Sequence, residues 1–306
     1  MSQEFKSFSA GQQRQSDETL LRRATYASVL VASILIVVKA VAWVLTGSVS
    51  ILASLVDSLM DVVASVINLF AVAHSLVPAD SEHRFGHGKV ESLAGLGQSF
   101  FIFASAVFLI FSAADRLQNP QELAELGLGT GVMIASMALT SLLLLFQRFV
   151  VKRTGSLAVK ADALHYRTDL FTNAAILVAL VLSVYGYSFF DAIFAMVIAV
   201  YIVYSAWSIA YDAVQILLDR ELPDNIRDQI TEIAESVPRV KGIHELRTRR
   251  SGITCFIQLH IDLDATMSLQ EAHQISDLVE AAICAEIPSA DVIIHEDPME
   301  DFLKSG

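Results

Sequence analysis

Residues 51–77 read ILASLVDSLMDVVASVINLFAVAHSLV. A helix needs about 20 apolar residues to cross a bilayer. This run exceeds that length, and its only formal charges are Asp57 and Asp61. On insertion scales an Asp at the centre of a spanning helix costs about 2.5–3.5 kcal/mol. A membrane helix that keeps two of them implies something that compensates them, a bound cation or protons. Their i, i+4 spacing sends both carboxylates from one helix face. In a water-soluble helix the same spacing would carry no message.

Five further runs, residues 24–45, 90–114, 126–149, 157–185 and 189–218, are similarly apolar, which predicts an α-helical membrane protein with six transmembrane helices. The breaks between runs fall at Thr46-Gly47-Ser48, residues 78–89, Asn119-Pro120, residues 148–160 and Tyr185-Gly186-Tyr187. The 306-residue chain is 54% hydrophobic and 18% charged, against roughly 45–50% and about 25% in soluble domains. Lys6, Arg14, Arg22 and Arg23 precede the first run, Arg84 and Lys89 lie in the second linker, and Arg148, Lys152, Arg153 and Lys160 lie in the fourth. The third linker holds only Arg116. By the positive-inside rule the odd-numbered linkers lie outside and both termini are cytoplasmic. The polar start of the chain, with no short apolar core and cleavage site, predicts no removable signal peptide.

After residue 218 the composition changes. Residues 219–306 hold 8 Lys and Arg against 18 Asp and Glu, a net charge of −10 out of −12 for the chain. That charge argues against nucleic acid as a partner. Residues 226–236, following Pro223-Asp224, read as a helix with proline at its start. Residues 243–250 and 253–263 read as strands joined at Ser251-Gly252. In the second, Cys255, Ile257, Leu259, Ile261 and Leu263 alternate with Phe256, Gln258, His260 and Asp262, as in a half-buried strand. Residues 269–283 carry a helical apolar stripe, and 291–295 form a last strand. The order αββαβ predicts a small α+β domain of ferredoxin-like or metallochaperone-like form, helices on one face of a sheet. The expected organisation is an N-terminal segment over 1–23, a membrane domain over 24–218 and a cytoplasmic domain over 219–306. Cys255 and Cys284 form no CxxC pair and suit a reducing compartment.

The fifth run adds His165 and Asp169, again i, i+4. With Asp57 and Asp61, four ligand groups on two helices can close around one ion. Mixed carboxylate and imidazole ligands in tetrahedral geometry suit Zn²⁺, with Cd²⁺ as a passenger. Mg²⁺ would prefer six oxygens. Asp80, His83 and His87 have a D-x-x-H-x-x-x-H spacing in the second linker. That segment reads either as a metal loop or as a flexible polar loop. His244, His260, His273, His295 and Asp297 fall in the tail, with His295 and Asp297 on one side of the last strand. They read either as a metal cluster or as scattered surface histidines. Lys39 either snorkels or pairs with a carboxylate, Asp162 and Asp191 sit near helix ends where solvation or capping is expected, and Asn68 and Asn173 suit hydrogen bonds between helices. His74 suits a wetted surface.

Several stretches together resemble the cation diffusion facilitator family, most closely its bacterial zinc-transporter branch. They are Leu55-Val56-Asp57-Ser58-Leu59-Met60-Asp61, Arg84-Phe85-Gly86-His87-Gly88-Lys89, Ala161-Asp162-Ala163-Leu164-His165-Tyr166, Leu217-Leu218-Asp219-Arg220 and Asp291-Val292-Ile293-Ile294-His295-Glu296-Asp297-Pro298. The likeness runs over about residues 20–300. It implies a homodimer in the bacterial inner membrane that exchanges metal for H⁺ by alternating access, with no organic cofactor. It implies a transport site of Asp57, Asp61, His165 and Asp169, and a second site of Asp80, His83 and His87. It further implies a binuclear site of His244, His260, His273, His295 and Asp297 at a cytoplasmic dimer interface, with His260 bridging. Lys89 and Asp219 would form a charge interlock, and Leu164 would belong to a hydrophobic gate. Zn²⁺ and Cd²⁺ fit the ligand set better than Mn²⁺, and Fe²⁺ stays open.

Two readings of other classes compete. An intramembrane metallohydrolase would show three ligands, an open position and often HExxH spacing, and the chain has no HExxH. A metal sensor without transport would have no use for carboxylates inside the membrane. A channel would differ from an exchanger in lacking saturable, pH-coupled flux. Metal ligation needs neutral imidazole and ionised carboxylate, so binding releases protons, and protons can displace the metal.

Overall fold

The computed structural model describes residues 2–47, 49–118, 128–184 and 190–299. Ser48 and the linkers Asn119-Pro120 and Tyr185-Gly186-Tyr187 lie outside the described residues. Each apolar run is a helix: α1 (Ser2–Thr46), α2 (Val49–Ser75), α3 (Lys89–Gln118), α4 (Leu128–Thr154), α5 (Leu157–Val184) and α6 (Phe190–Leu217). The polar N-terminal segment is helical and continuous with α1, which its Gln, Arg, Glu and Leu content favours. Five of these helices are long and apolar enough to cross a membrane. That count is of the described residues; in α5 the polar groups Lys160, Asp162, His165, Arg167 and Asp169 are gathered in the first half and the second half is apolar.

Leu20–Val214 form one compact unit, and the chain from Gln215 onward belongs to a second. The first is built inside out relative to a water-soluble bundle. Phe108, Phe111, Leu145 and Trp207 are exposed, whereas Ala32, Ala106, Ala158, Ala199 and Ala213 are buried between helices. Exposed apolar area on this scale is solvated by lipid rather than water. Small residues let helix backbones approach where lipid supplies no hydrophobic drive. Gly95 of α3 is such a point, since a Cβ there would stand 3.2 Å from Leu157 Cγ at the start of α5.

That start is fully capped. The first backbone N–H groups of a helix have no partner within it. Here Ser156 N–H donates to Thr154 Oγ1 at 3.2 Å, and Val159 N–H to Ser156 Oγ at 3.2 Å. Leu157 and Ala158 donate to Glu91 Oε1 of α3, at 2.7 and 3.4 Å. Glu91 is 3% exposed, so a buried carboxylate on one helix fixes the position of another.

The second unit has α7 (Asp224–Glu235), β1 (Gly242–Ser251), β2 (Thr254–Asp264), α8 (Leu269–Glu286) and β3 (Ala290–Met299). The sheet runs β1-β2-β3, antiparallel across the hairpin and parallel between β2 and β3, which α8 connects. Ile257, Leu259, Ile261 and Leu263 of β2 form a core with Ile230 and Ala234 of α7 and Ile275, Val279 and Ile283 of α8. Both helices therefore cover the face that the alternation in β2 makes apolar. α8 opens with a capping box, Ser268 with Glu271. Phe256 breaks the alternation: it is buried on the other face beneath the Arg249 guanidinium, 4.7 Å from its ring centroid.

Candidate metal sites

Among the described residues the structure brings candidate ligand atoms together in three places. Inside the membrane unit, Asp61 of α2 meets His165 and Asp169 of α5, with the ligand atoms all within 4.8 Å of one another. His165 Nε2 lies 2.8 Å from Asp61 Oδ1 and 3.8 Å from Asp169 Oδ2. Ligand atoms around a tetrahedral Zn²⁺ with bonds of about 2.0–2.1 Å stand roughly 3.3 Å apart, a spacing these distances bracket. Asp61 is 5% exposed. Asp57, expected as a fourth member, is an exposed side chain one turn earlier on α2 and, among the described residues, is outside the group. Leu164, beside His165, is buried.

Other polar groups in the same unit depart from the sequence expectation. Asp162, which its position near a helix end would leave solvated, is 1% exposed. Its Oδ2 accepts from Ser28 Oγ of α1 at 2.6 Å and from Gln147 Nε2 of α4 at 2.7 Å. Tyr166 joins this network, with its hydroxyl 2.9 Å from Ser65 Oγ of α2 and donating to the Ser28 carbonyl at 3.2 Å. Asn68 is buried, and among the described residues neither of its amide atoms has a hydrogen-bond partner. The Asp191 side chain lies outside the described residues. Lys39 of α1 donates to Ser58 Oγ at 2.6 Å and to the Ser54 carbonyl at 3.2 Å.

In the loop between α2 and α3, Asp80, His83 and His87 form the second group. Asp80 Oδ1 accepts from the backbone N–H of His83 at 2.6 Å and of Glu82 at 2.9 Å. The bond from His83, the largest influence, holds the Asp80 carboxyl below its ordinary pKa. Its two oxygens lie 3.4 Å from His83 Nδ1 and 3.5 Å from His87 Nε2. Gly86, at φ +75°, makes the turn that returns His87 to Asp80. His74, expected on a wetted surface, stands edge-on to His87 with ring centroids 4.8 Å apart.

The third group is on the sheet face away from the core. The register sets His244 opposite His260, His260 opposite His295, and Asp262 opposite Asp297. Cross-strand neighbours on one face must meet, so three imidazoles converge on Asp297. Its Oδ2 is 2.7 Å from His260 Nδ1 and 3.2 Å from His244 Nε2, and its Oδ1 is 3.5 Å from His295 Nε2. The His260 hydrogen bond is the main cause that keeps the Asp297 carboxyl below its ordinary pKa. A proton on His260 Nδ1 leaves its Nε2 lone pair free for a metal. His273 is not brought here: it lies on α8, 3.8 Å from Asp277. Glu245 and Asp262 border the cluster, 3.9 Å from His260 and 3.5 Å from His244. Asp262 was findable as the i+2 neighbour of His260. Glu245 was not, because a bulge between His244 and Arg247 puts it at φ 48° and turns it.

Lys89 is the first residue of α3, in the membrane unit. Asp219 follows α6 at φ 57° and accepts from Arg249 Nη1 at 3.4 Å within the second unit.

Comparison with known proteins gives these sites their setting. Residues 25–218 match the family described as the cation efflux transmembrane domain, and residues 222–299 match that of the cation efflux protein, cytoplasmic domain. The cation-efflux pump FieF of Serratia proteamaculans (strain 568) is 51% identical over 279 residues, covering 91% of this chain and 93% of that protein. FieF of Yersinia pestis (strain Pestoides F) is 52% identical over 278 residues, with the same coverage. A solved structure, MamM-CTD 215-293, is 28% identical and covers 25% of this chain and 98% of that one at a TM-score of 0.24. Cation-efflux pumps of this kind are transporters, which removes the metallohydrolase reading. The chain belongs to the cation efflux family, the cation diffusion facilitators, and is a multi-pass membrane metal transporter.

Proposed function

We propose that this protein exports a divalent cation from the cytoplasm in exchange for protons by alternating access, with Zn²⁺ the main substrate and Cd²⁺ and Fe²⁺ further ones. The observation that carries the reading is the meeting of buried Asp61 with half-buried His165 and Asp169 within 4.8 Å. One nitrogen and several carboxylate oxygens at that spacing favour Zn²⁺ over Mg²⁺. The same 2.8 Å approach of His165 to Asp61 that a proton can bridge is one that a metal must replace. Proton and metal therefore compete for one place, which is the requirement for exchange.

In this reading Asp57 is the fourth transport ligand, recruited when a cation draws its carboxylate inward. α5 spans with the other five helices, its charged half shielded by them, and both termini are cytoplasmic in a bacterial inner membrane. The protein works as a homodimer. The His244, His260, His295 and Asp297 cluster binds regulatory metal, His273 contributes when two copies meet, and Asp80, His83 and His87 hold metal in the loop. Lys89 pairs with Asp219, and Leu164 closes the path beside His165.

The test is Zn²⁺ flux into proteoliposomes under an imposed pH gradient, with Asp61→Ala alongside. The expected result is gradient-dependent Zn²⁺ movement that the substitution abolishes. Flux that persists in Asp61→Ala would remove the intramembrane cluster as the transport site, and flux indifferent to the gradient would remove proton exchange.

A further inference from the structure

α1 carries a charge that the transport reading leaves unused. Lys39 belongs to a membrane-spanning apolar run, where an ionisable side chain is expensive and calls for a partner. Its ammonium is tied to α2 by two hydrogen bonds, to Ser58 Oγ at 2.6 Å and to the Ser54 carbonyl at 3.2 Å. Ser58 is fully buried, adjoins Asp57, and lies one turn before Asp61. The field of Lys39 reaches both Asp57 and Asp169. A long, flexible side chain is thus pinned beside a group of acidic ligands without joining it.

The consequence is one of charge. Asp57, Asp61 and Asp169 must be ionised to ligate, and His165 must be neutral. Three carboxylates with one divalent cation would leave a net negative charge inside the membrane. We propose that Lys39 is the fixed counter-cation of the intramembrane site. It brings the three carboxylates to the charge that one divalent cation cancels, so that the metal-loaded site crosses the membrane without net charge. Lys39 is then a specificity-determining residue that matches the site to divalent ions. This inference rests on the proposed transport function. Asp162 is held apart by Ser28 and Gln147 and is not counted among the ligating carboxylates.

The test is exchange of radiolabelled Zn²⁺ for unlabelled Zn²⁺ in proteoliposomes at equal pH, so that only the loaded form moves, with the membrane potential clamped at either sign. One elementary charge carried across 100 mV is worth up to about 50-fold in an equilibrium, or about 7-fold across half the field. The unmodified protein is expected to exchange at the same rate at both potentials. Lys39→Gln should gain a voltage dependence of several-fold, and Asp57→Asn one of opposite sign. The double variant should lose both, and Lys39→Arg should behave as the unmodified protein. Ser58→Ala, which removes the hydrogen bond but keeps the charge, should stay voltage-independent. If Lys39→Gln fails to fold, the voltage dependence of Asp57→Asn and its sign still decide the matter. Variants that are slow but voltage-independent would make Lys39 a strut and overturn the inference while leaving the transport function intact. Absence of any exchange by the unmodified protein would overturn the transport function, and this inference with it.

Discussion

Glu91→Ala tests whether α3 positions the ligand-bearing helix. Glu91 Oε1 accepts the N–H groups of Leu157 and Ala158, at 2.7 and 3.4 Å, in a site 3% exposed to solvent. A hydrogen bond to a charged group contributes about 1.5–3 kcal/mol. The long second bond adds little, but a carboxylate at a helix N-terminus adds roughly 0.3–1 kcal/mol through the helix dipole. Removal should therefore cost about 2–4 kcal/mol, because water cannot readily replace the lost acceptor. Glu91→Gln keeps an oxygen for the same N–H groups and should cost about 1 kcal/mol. At about 2–4 °C per kcal/mol for a unit of this size, Glu91→Ala should unfold roughly 4–16 °C lower, and Glu91→Gln a few degrees lower. The assay is thermal unfolding of the purified protein in detergent, read beside Zn²⁺ affinity. Since His165 and Asp169 ride on α5, affinity should fall in the same order, Ala more than Gln. An unfolding temperature for Glu91→Ala within a degree of the unmodified protein would refute the reasoning. So would an equal loss in the two variants, which would mean that the charge and not the bonds mattered.

Two further outcomes follow from the second unit. Asp297 has a depressed pKa, so the stability its ionised form contributes is present above the unfolded value of about 3.9 and is lost only as pH falls through the lower folded value. Between pH 5 and 8 the imidazoles must then set metal binding at His244, His260 and His295, which should weaken as pH falls across that range because a protonated imidazole cannot ligate. Titration of Zn²⁺ by calorimetry across that range, with His260→Ala as control, checks this, and binding that is flat in pH would contradict it. Ile257→Ala, at a fully buried position of β2, should destabilise this unit by about 2–5 kcal/mol. Because His260 is on the same strand, the metal cluster should be lost with the fold, as thermal unfolding with and without Zn²⁺ will report.

Local patterns were legible where a residue's environment is decided by its own neighbours in sequence. The apolar runs give α2 to α6 within about five residues but miss the start of α1, whose polar first turns carry no apolar signal, and the alternation from Cys255 to Leu263 gives β2 and its buried face. The pairing of His165 with Asp61 was foreseeable because two charged faces in lipid have few alternatives to each other. What pattern cannot supply is which helix meets which. Asp162 is buried because Ser28 and Gln147, from helices far off in sequence, converge on it. Glu91 caps a helix 66 residues away in the chain. His273 satisfies the same composition rule as His260, yet α8 carries it to the opposite side of the sheet from the histidine cluster.

The three ligand groups differ most in burial, and burial bears on their roles more than ligand type does. All combine histidine with aspartate, so intrinsic metal preference separates them little. The Asp61 group has an almost fully buried carboxylate, where charge interactions are strong and each binding event must be electrically compensated. The loop and tail groups are half-exposed, with His83 at 55% and His295 at 65%. There water screens the charges and ligands exchange freely with solvent. A buried site answers instead to what crosses with the ion. That difference is why the removal of Lys39, pinned one turn from Asp61, should be felt in voltage dependence before it is felt in fold.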